Sequence, residues 1–292
     1  MVMLLVLTSC EKDFKDPGES HTENVCGFEV SWRSQITEEQ MAAIREILFD
    51  MVRVEGGFFV MGATPEQEGL ARPNELPTSY VKLSDYYICR HEVTDEEFNI
   101  IMDRNINATA TSASSISLSE WKQFIALLND FTSLHFNFPT EAQWEFAARG
   151  GNKAQGFIYP GSNEWQEVCS GSHTAGSELP NELGIYNMGD LKSEWCRDLY
   201  DEYLTGSILL DWVQKNGKYQ VVRGGNYLCT EQTEKYQHKN NRNGYVSYRL
   251  GQEASLSHPE MDYRNCRTTS RSYDYGHDIG NTIVGLRLAI DM

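Results

Sequence analysis

The first half of the chain has clear hydrophobic periodicity and the second half has little. Thr37 followed by Gln40 forms a capping box, and Met41, Ile44, Ile47 and Leu48 then share one helical face, so residues 37–49 are expected to be a helix. The segment MVRVEGGFFVMG at 51–62 places β-branched and aromatic residues around Gly56 and Gly57, which predicts two strands with a turn at the glycines. A third strand is expected within 79–90. Thr94 with Glu97 repeats the capping signal ahead of Phe98, Ile101 and Met102, and the Ser-, Thr- and Asn-rich stretch 105–117 reads as a loop. Trp121, Phe124, Ile125 and Leu128 then have the spacing of an amphipathic helix. A third capping box, Thr140 with Gln143, starts another helix, and Gly150 and Gly151 stop it.

From 152 onward Gly, Asn, Ser and Tyr accumulate, and 219–223 and 283–290 are the clear strand candidates. So much irregular chain needs an added constraint to stay compact: disulfides, bound ions or dense side-chain hydrogen bonding. Net charge changes the picture by exclusion. With 42 acidic and 25 basic side chains the chain carries −17, so nucleic acid is not an expected partner. The seven histidines show no metal-ligand spacing, and no Cys-x-x-Cys is present.

The N-terminus is apolar from Met1 to Leu7 and continues Thr8, Ser9, Cys10, which resembles a bacterial lipobox. That resemblance implies a signal peptide over 1–9, a lipid on Cys10 and attachment to the cell envelope, facing the periplasm or on the outer membrane. Residues 10–36 are then a tether and N-terminal segment, and 37–292 a single domain with a leading helix. Setting Cys10 aside leaves Cys26, Cys89, Cys169, Cys196, Cys229 and Cys266, an even number with fifteen possible pairings.

Four ordered blocks resemble the sulfatase-modifying-factor, or formylglycine-generating-enzyme-like, family. They are MVRVEGGFFVMG at 51–62 with YYICRHEVT at 86–94, FPTEAQWEFAARGG at 138–151, LGIYNMGDLKSEWCRD at 183–198, and VVRGGNYLC at 221–229 with VGLRLA at 284–289. The second block is the strongest, and its residues read as a scaffold helix. The resemblance implies an α+β fold related to C-type lectins and poor in regular secondary structure.

It also implies chemistry. Family enzymes convert a cysteine of a sulfatase to formylglycine with oxygen and a copper(I) ion held by two cysteines, thiolates being soft ligands suited to that ion. Cys229 in GGNYLC matches the first. Glu234 stands where the second is usual, Asn226 stands where the family has serine, and Cys266 is the nearby candidate partner. For Cys229 and Cys266 a copper or redox pair, a structural disulfide in some pairing and separate thiols are all open. Calcium is implied at the block containing GDLKSEW, where Glu194 is retained, Leu191 replaces a ligating Asn, and Asp190 or Asp198 is left to compensate; the alternative is that Glu194 pairs with a nearby Arg or a backbone amide. Arg223 is read as half of a buried ion pair, with substrate contact as its alternative role alongside Asn226 and Arg271.

Two functions are therefore expected to compete. One is a non-catalytic envelope lipoprotein that binds a protein or glycan partner or builds an assembly, in keeping with the Tyr, Asn, Arg, Ser and His crowded into 236–281. A narrower version has that region diversified by a retroelement. The other is a copper- and oxygen-dependent formylglycine-generating oxidase.

Overall fold

The computed structural model describes residues 20–104, 116–169, 176, 178–225, 263–274 and 284–292. The chain begins with a hairpin, β1 (His21–Val25) and β2 (Phe28–Trp32), closed by Cys26 and Gly27, both at positive φ. No element was expected here. Val25, Phe28, Val30 and Trp32 are buried, so the hairpin belongs to the core, and Trp32 donates its indole N–H to Glu23 at 2.8 Å.

Helix α1 (Glu38–Phe49) opens on the Thr37–Gln40 capping box and buries the face carrying Ile44, Ile47 and Leu48. Strands β3 (Met51–Val54) and β4 (Phe58–Met61) follow, but they do not form the hairpin that the intervening glycines suggest. β4 pairs with β5 (Ser79–Lys82), and β3 pairs with β6 (Tyr86–Cys89). The chain crosses between two sheets at Gly56 and Gly57. A Cβ on Gly56 would lie 2.3 Å from the Leu83 carbonyl oxygen, so the glycine is there for close backbone approach.

Helix α2 (Asp95–Ile101) starts at the Thr94–Glu97 capping box, and α3 (Leu118–Thr132) at a further one, Ser117–Glu120, which begins on the last residue of the stretch read as loop. Trp121, Phe124 and Phe98 pack ring against ring between these helices. Strand β7 (Phe136–Asn137) leads into α4 (Glu141–Ala148), capped by Thr140 and Gln143 and buried at every residue. A four-residue α5 (Trp165–Val168) follows.

The second half holds β8 (Ser193–Leu199), β9 (Leu209–Leu210), β10 (Gln220–Arg223), β11 (Arg271–Asp274), β12 (Val284–Gly285) and β13 (Ala289–Asp291). Beyond the hairpin the described residues form three sheets, ordered β3-β6-β13-β7, β4-β5-β9 and β11-β10-β8-β12. Helix α4 contacts β4, β8 and β10, placing it against two of these sheets.

Candidate functional site

The β11-β10-β8-β12 sheet sets one row of residues side by side. Arg271 is opposite Arg223, Arg223 opposite Glu194, and Glu194 opposite Gly285, two residues before Arg287. Directly paired residues share a sheet face. Helix α4 supplies the complementary groups, because Glu141, Trp144 and Glu145 lie three and four positions apart and project from one side of it.

Each arginine of the row is then neutralised. Glu145 pairs with Arg223, whose guanidinium also donates to the carbonyls of Thr268, Thr269 and Ser270 at 3.0–3.1 Å. Glu141 takes a two-point contact from Arg271, both bonds 2.8 Å, while Arg271 lies 3.9 Å from the Tyr203 ring centre. Glu194 receives Arg287 at 2.6–3.0 Å and the Trp144 indole N–H at 2.6 Å; Arg287 also donates to the carbonyls of Cys89, Arg90 and Tyr186. A fourth buried pair, Arg267 with Glu75, is joined by Gln67 and Thr269. Burial alone would lower the Arg271 and Arg287 pKa values, and Glu141 and Glu194 beside them reverse the shift, so both guanidiniums stay charged.

Several of the expected site residues fall in these ion pairs. Arg223 and Arg271 lie inside the protein, their guanidiniums paired with Glu145 and Glu141. Both Glu194 oxygens are taken by Arg287 and Trp144, and a divalent cation there would meet the positive charge of Arg287, so this donor set does not fit calcium. Asp190 is buried in the turn before β8, and no group of three metal-ligating side chains occurs among the described residues. Cys266 is bonded to Cys169, a pairing 97 residues apart in sequence. Its sulfur thus offers no thiolate to a copper ion shared with Cys229. Cys229, Asn226 and Cys10 lie outside the described residues.

Sequence reading identified α4 as scaffold but missed its partners. The signal was present in its glutamates at 141 and 145, which sit on the otherwise apolar face carrying Trp144 and Ala148. Asp198 was considered only as a substitute calcium ligand. It is buried, accepts the backbone N–H groups of Glu141 and Gln214, each at 2.8 Å, and its pKa is raised to about 7 by burial and then by the negative charge of Glu141.

The sulfatase-modifying factor enzyme 1-like domain matches residues 37–124 and 107–291. The chain belongs to this family. Its α+β, C-type-lectin-like fold is shared with PvdO from Pseudomonas aeruginosa, at a TM-score of 0.62 and 19% identity over 83% of this chain and 94% of that one. Chaperone protein LppX of Paenibacillus barcinonensis is 23% identical over 63% of this chain and 80% of its own length. The formylglycine-generating enzyme of Streptomyces coelicolor is 26% identical over 61% of this chain and 78% of its own. In this family member the strongest sequence block, FPTEAQWEFAARGG, carries the helix that organises the ion pairs.

Two outcomes follow for this network. Glu194→Gln leaves Arg287 as an uncompensated buried cation and is expected to cost about 3–5 kcal/mol in denaturant unfolding. Asp198 titrates differently in the folded and unfolded states. Because its folded pKa is raised, the folded protein holds a proton that the unfolded chain releases between the ordinary carboxylate value and about 7. That contribution to stability is present at low pH, falls as pH rises through this window and is gone above it. Asp198→Asn is expected to remove this component, so the gap in unfolding free energy between variant and wild type shifts in the variant's favour from about pH 5 to about pH 8.

Proposed function

We propose that the protein is a non-catalytic lipoprotein of the cell envelope, held to the membrane by a lipid on Cys10, which uses the family scaffold to bind a protein or glycan partner or to build an assembly. One observation carries this reading: the charged side chains of the family blocks are spent on one another. Arg223, Arg271, Arg287 and Glu194 are all buried in ion pairs, and Cys266 is in a disulfide with Cys169. Of the other described cysteines, Cys89 and Cys196 are buried, and burial pushes both thiols well above their ordinary pKa, which disfavours the thiolate needed for copper ligation.

The recognition surface of this proposal is the Tyr-, Asn-, Arg-, Ser- and His-rich stretch 236–281, most of which lies outside the described residues. Such side chains combine apolar area with adaptable hydrogen bonding. Attachment rests on the lipobox-like Leu7 to Cys10, since no helix among the described residues is long and apolar enough to cross a membrane.

A second reading is supported by Cys229 in GGNYLC and by the similarity to the Streptomyces coelicolor formylglycine-generating enzyme. In it the protein is an oxidase acting on a sulfatase cysteine, in which Cys229 and a partner thiol would hold copper(I) and the ion would supply oxygen activation. The two readings separate in one assay. The purified protein is incubated in air with copper(I) and a cysteine peptide of the sulfatase motif, and the peptide is weighed by mass spectrometry. The peptide is expected to be unchanged; its conversion to formylglycine selects the oxidase. The anchor is tested independently. Cys10→Ser is expected to move the protein from the membrane fraction to the soluble fraction and to abolish labelling by radioactive palmitate.

A further inference from the structure

A second polar recess lies away from the α4 ion pairs, where α3, β7, β8 and β10 meet. It is open to solvent, has a volume of about 210 Å³, and is lined by Lys122, Ile125, Asn137, Phe138, Arg197 and Gln220.

The polar groups of the recess are held in place yet keep unused capacity. Arg197 is fixed by a two-point contact with Asp291, at 2.9 and 3.1 Å, which cancels its charge, but its buried Nε–H has no hydrogen-bond acceptor among the described residues. Asn137 uses its carbonyl oxygen to accept the Phe138 backbone N–H at 2.9 Å, which leaves its NH2 as a donor. Gln220 is anchored through its NH2 to the carbonyls of Cys196 and Asp198, leaving its side-chain carbonyl as an acceptor. Lys122 is exposed on α3 and makes no ion pair or hydrogen bond with a described residue. With Arg197 and Asp291 cancelling, Lys122 leaves the recess with positive charge in a chain of net charge −17. Ile125 and Phe138 contribute apolar surface to its wall.

We infer that this recess binds a small carboxylate with an apolar body: the carboxylate meets the Lys122 ammonium and the Asn137 NH2, and the apolar part lies against Ile125 and Phe138. The charge of Lys122 favours an anion, and a planar amide donor lining the same recess suits a carboxylate over a spherical anion. This inference is independent of whether the protein is a binder or an oxidase, because none of its residues belongs to the family's cysteine or calcium blocks except Arg197, which acts here through its salt bridge.

Phenylacetate is the probe, titrated into the full chain and followed by ligand-observed NMR. Saturable binding is expected with a Kd of the order of millimolar. Lys122→Glu is expected to weaken it by about tenfold or more while leaving the melting temperature unchanged, since Lys122 is exposed and holds nothing. Asn137→Asp keeps the acceptor for the Phe138 N–H, exchanges the NH2 for an oxygen, and is expected to weaken binding comparably. The neutral analogue 2-phenylethanol is expected not to compete. Absence of phenylacetate binding, an unchanged Kd in Lys122→Glu, or equal binding of 2-phenylethanol or inorganic phosphate would each overturn the inference.

Discussion

The fold depends on burying arginine against glutamate around one short helix. Four such pairs, Arg223–Glu145, Arg271–Glu141, Arg287–Glu194 and Arg267–Glu75, are almost wholly withdrawn from solvent. Taking both charges out of water is costly, so a buried pair is poor evidence of net stabilisation by itself. What these arginines add is satisfaction of backbone. Arg223 donates to three consecutive carbonyls at 268–270, Arg287 to those of Cys89, Arg90 and Tyr186, and Arg271 to those of Asn74 and Asp201. Carbonyls of irregular chain have no ladder or helix partner and cannot be buried unpaired. A guanidinium with five donors, neutralised by a fixed carboxylate, replaces the missing secondary structure.

This is the constraint that the loop-rich half requires, and it explains why one helix matters so much. Glu141 and Glu145 come from α4, and Trp144 between them steadies Glu194. The segments they gather are distant in sequence, from Glu194 to Arg271, so the helix pays the closure entropy of several long loops at one place. The Cys169–Cys266 bond acts in the same direction, tying the segment before the ion-pair row to the turn that carries Arg267 and Thr268–Ser270.

Helices α1 to α4 carry a local signal in the sequence because each begins with a hydroxyl residue and a glutamate or glutamine three positions later, a pattern that needs no tertiary context. The strands carry less of one. SEWCRDL at 193–199 is polar by composition and yet forms the longest strand among the described residues, because its charges meet partners on other elements and nothing nearby in sequence reveals them. In MVRVEGGFFVMG the strands were correctly placed but the pairing was not, since glycines serve a turn and a crossing equally well. The opening hairpin was overlooked although Val25, Phe28, Val30 and Trp32 are spaced as a strand pair requires. Cysteine at the positive-φ turn position, usually held by Asn or Gly, concealed the turn. At the site, the ion-pair role of Arg223 was readable from an arginine beside two glycines in a strand. For Glu194 an arginine partner and a bound cation were both open, because a carboxylate in a motif looks the same with either, and the pairing of Arg271 with Glu141 carried no local signal.

The same physics separates family from activity. FPTEAQWEFAARGG is the most recognisable block in the chain, and every residue of its helix is buried. Its glutamates must remain to neutralise Arg223 and Arg271, and its alanines must remain small to admit the neighbouring strands. A protein that kept the fold and lost the chemistry would therefore keep this block unchanged, while one that kept the chemistry would need an additional pair of reactive thiols that the block does not contain. The strength of the match thus measures the demands of packing and charge pairing, and catalysis turns on the cysteines, where Cys266 is already bonded to Cys169.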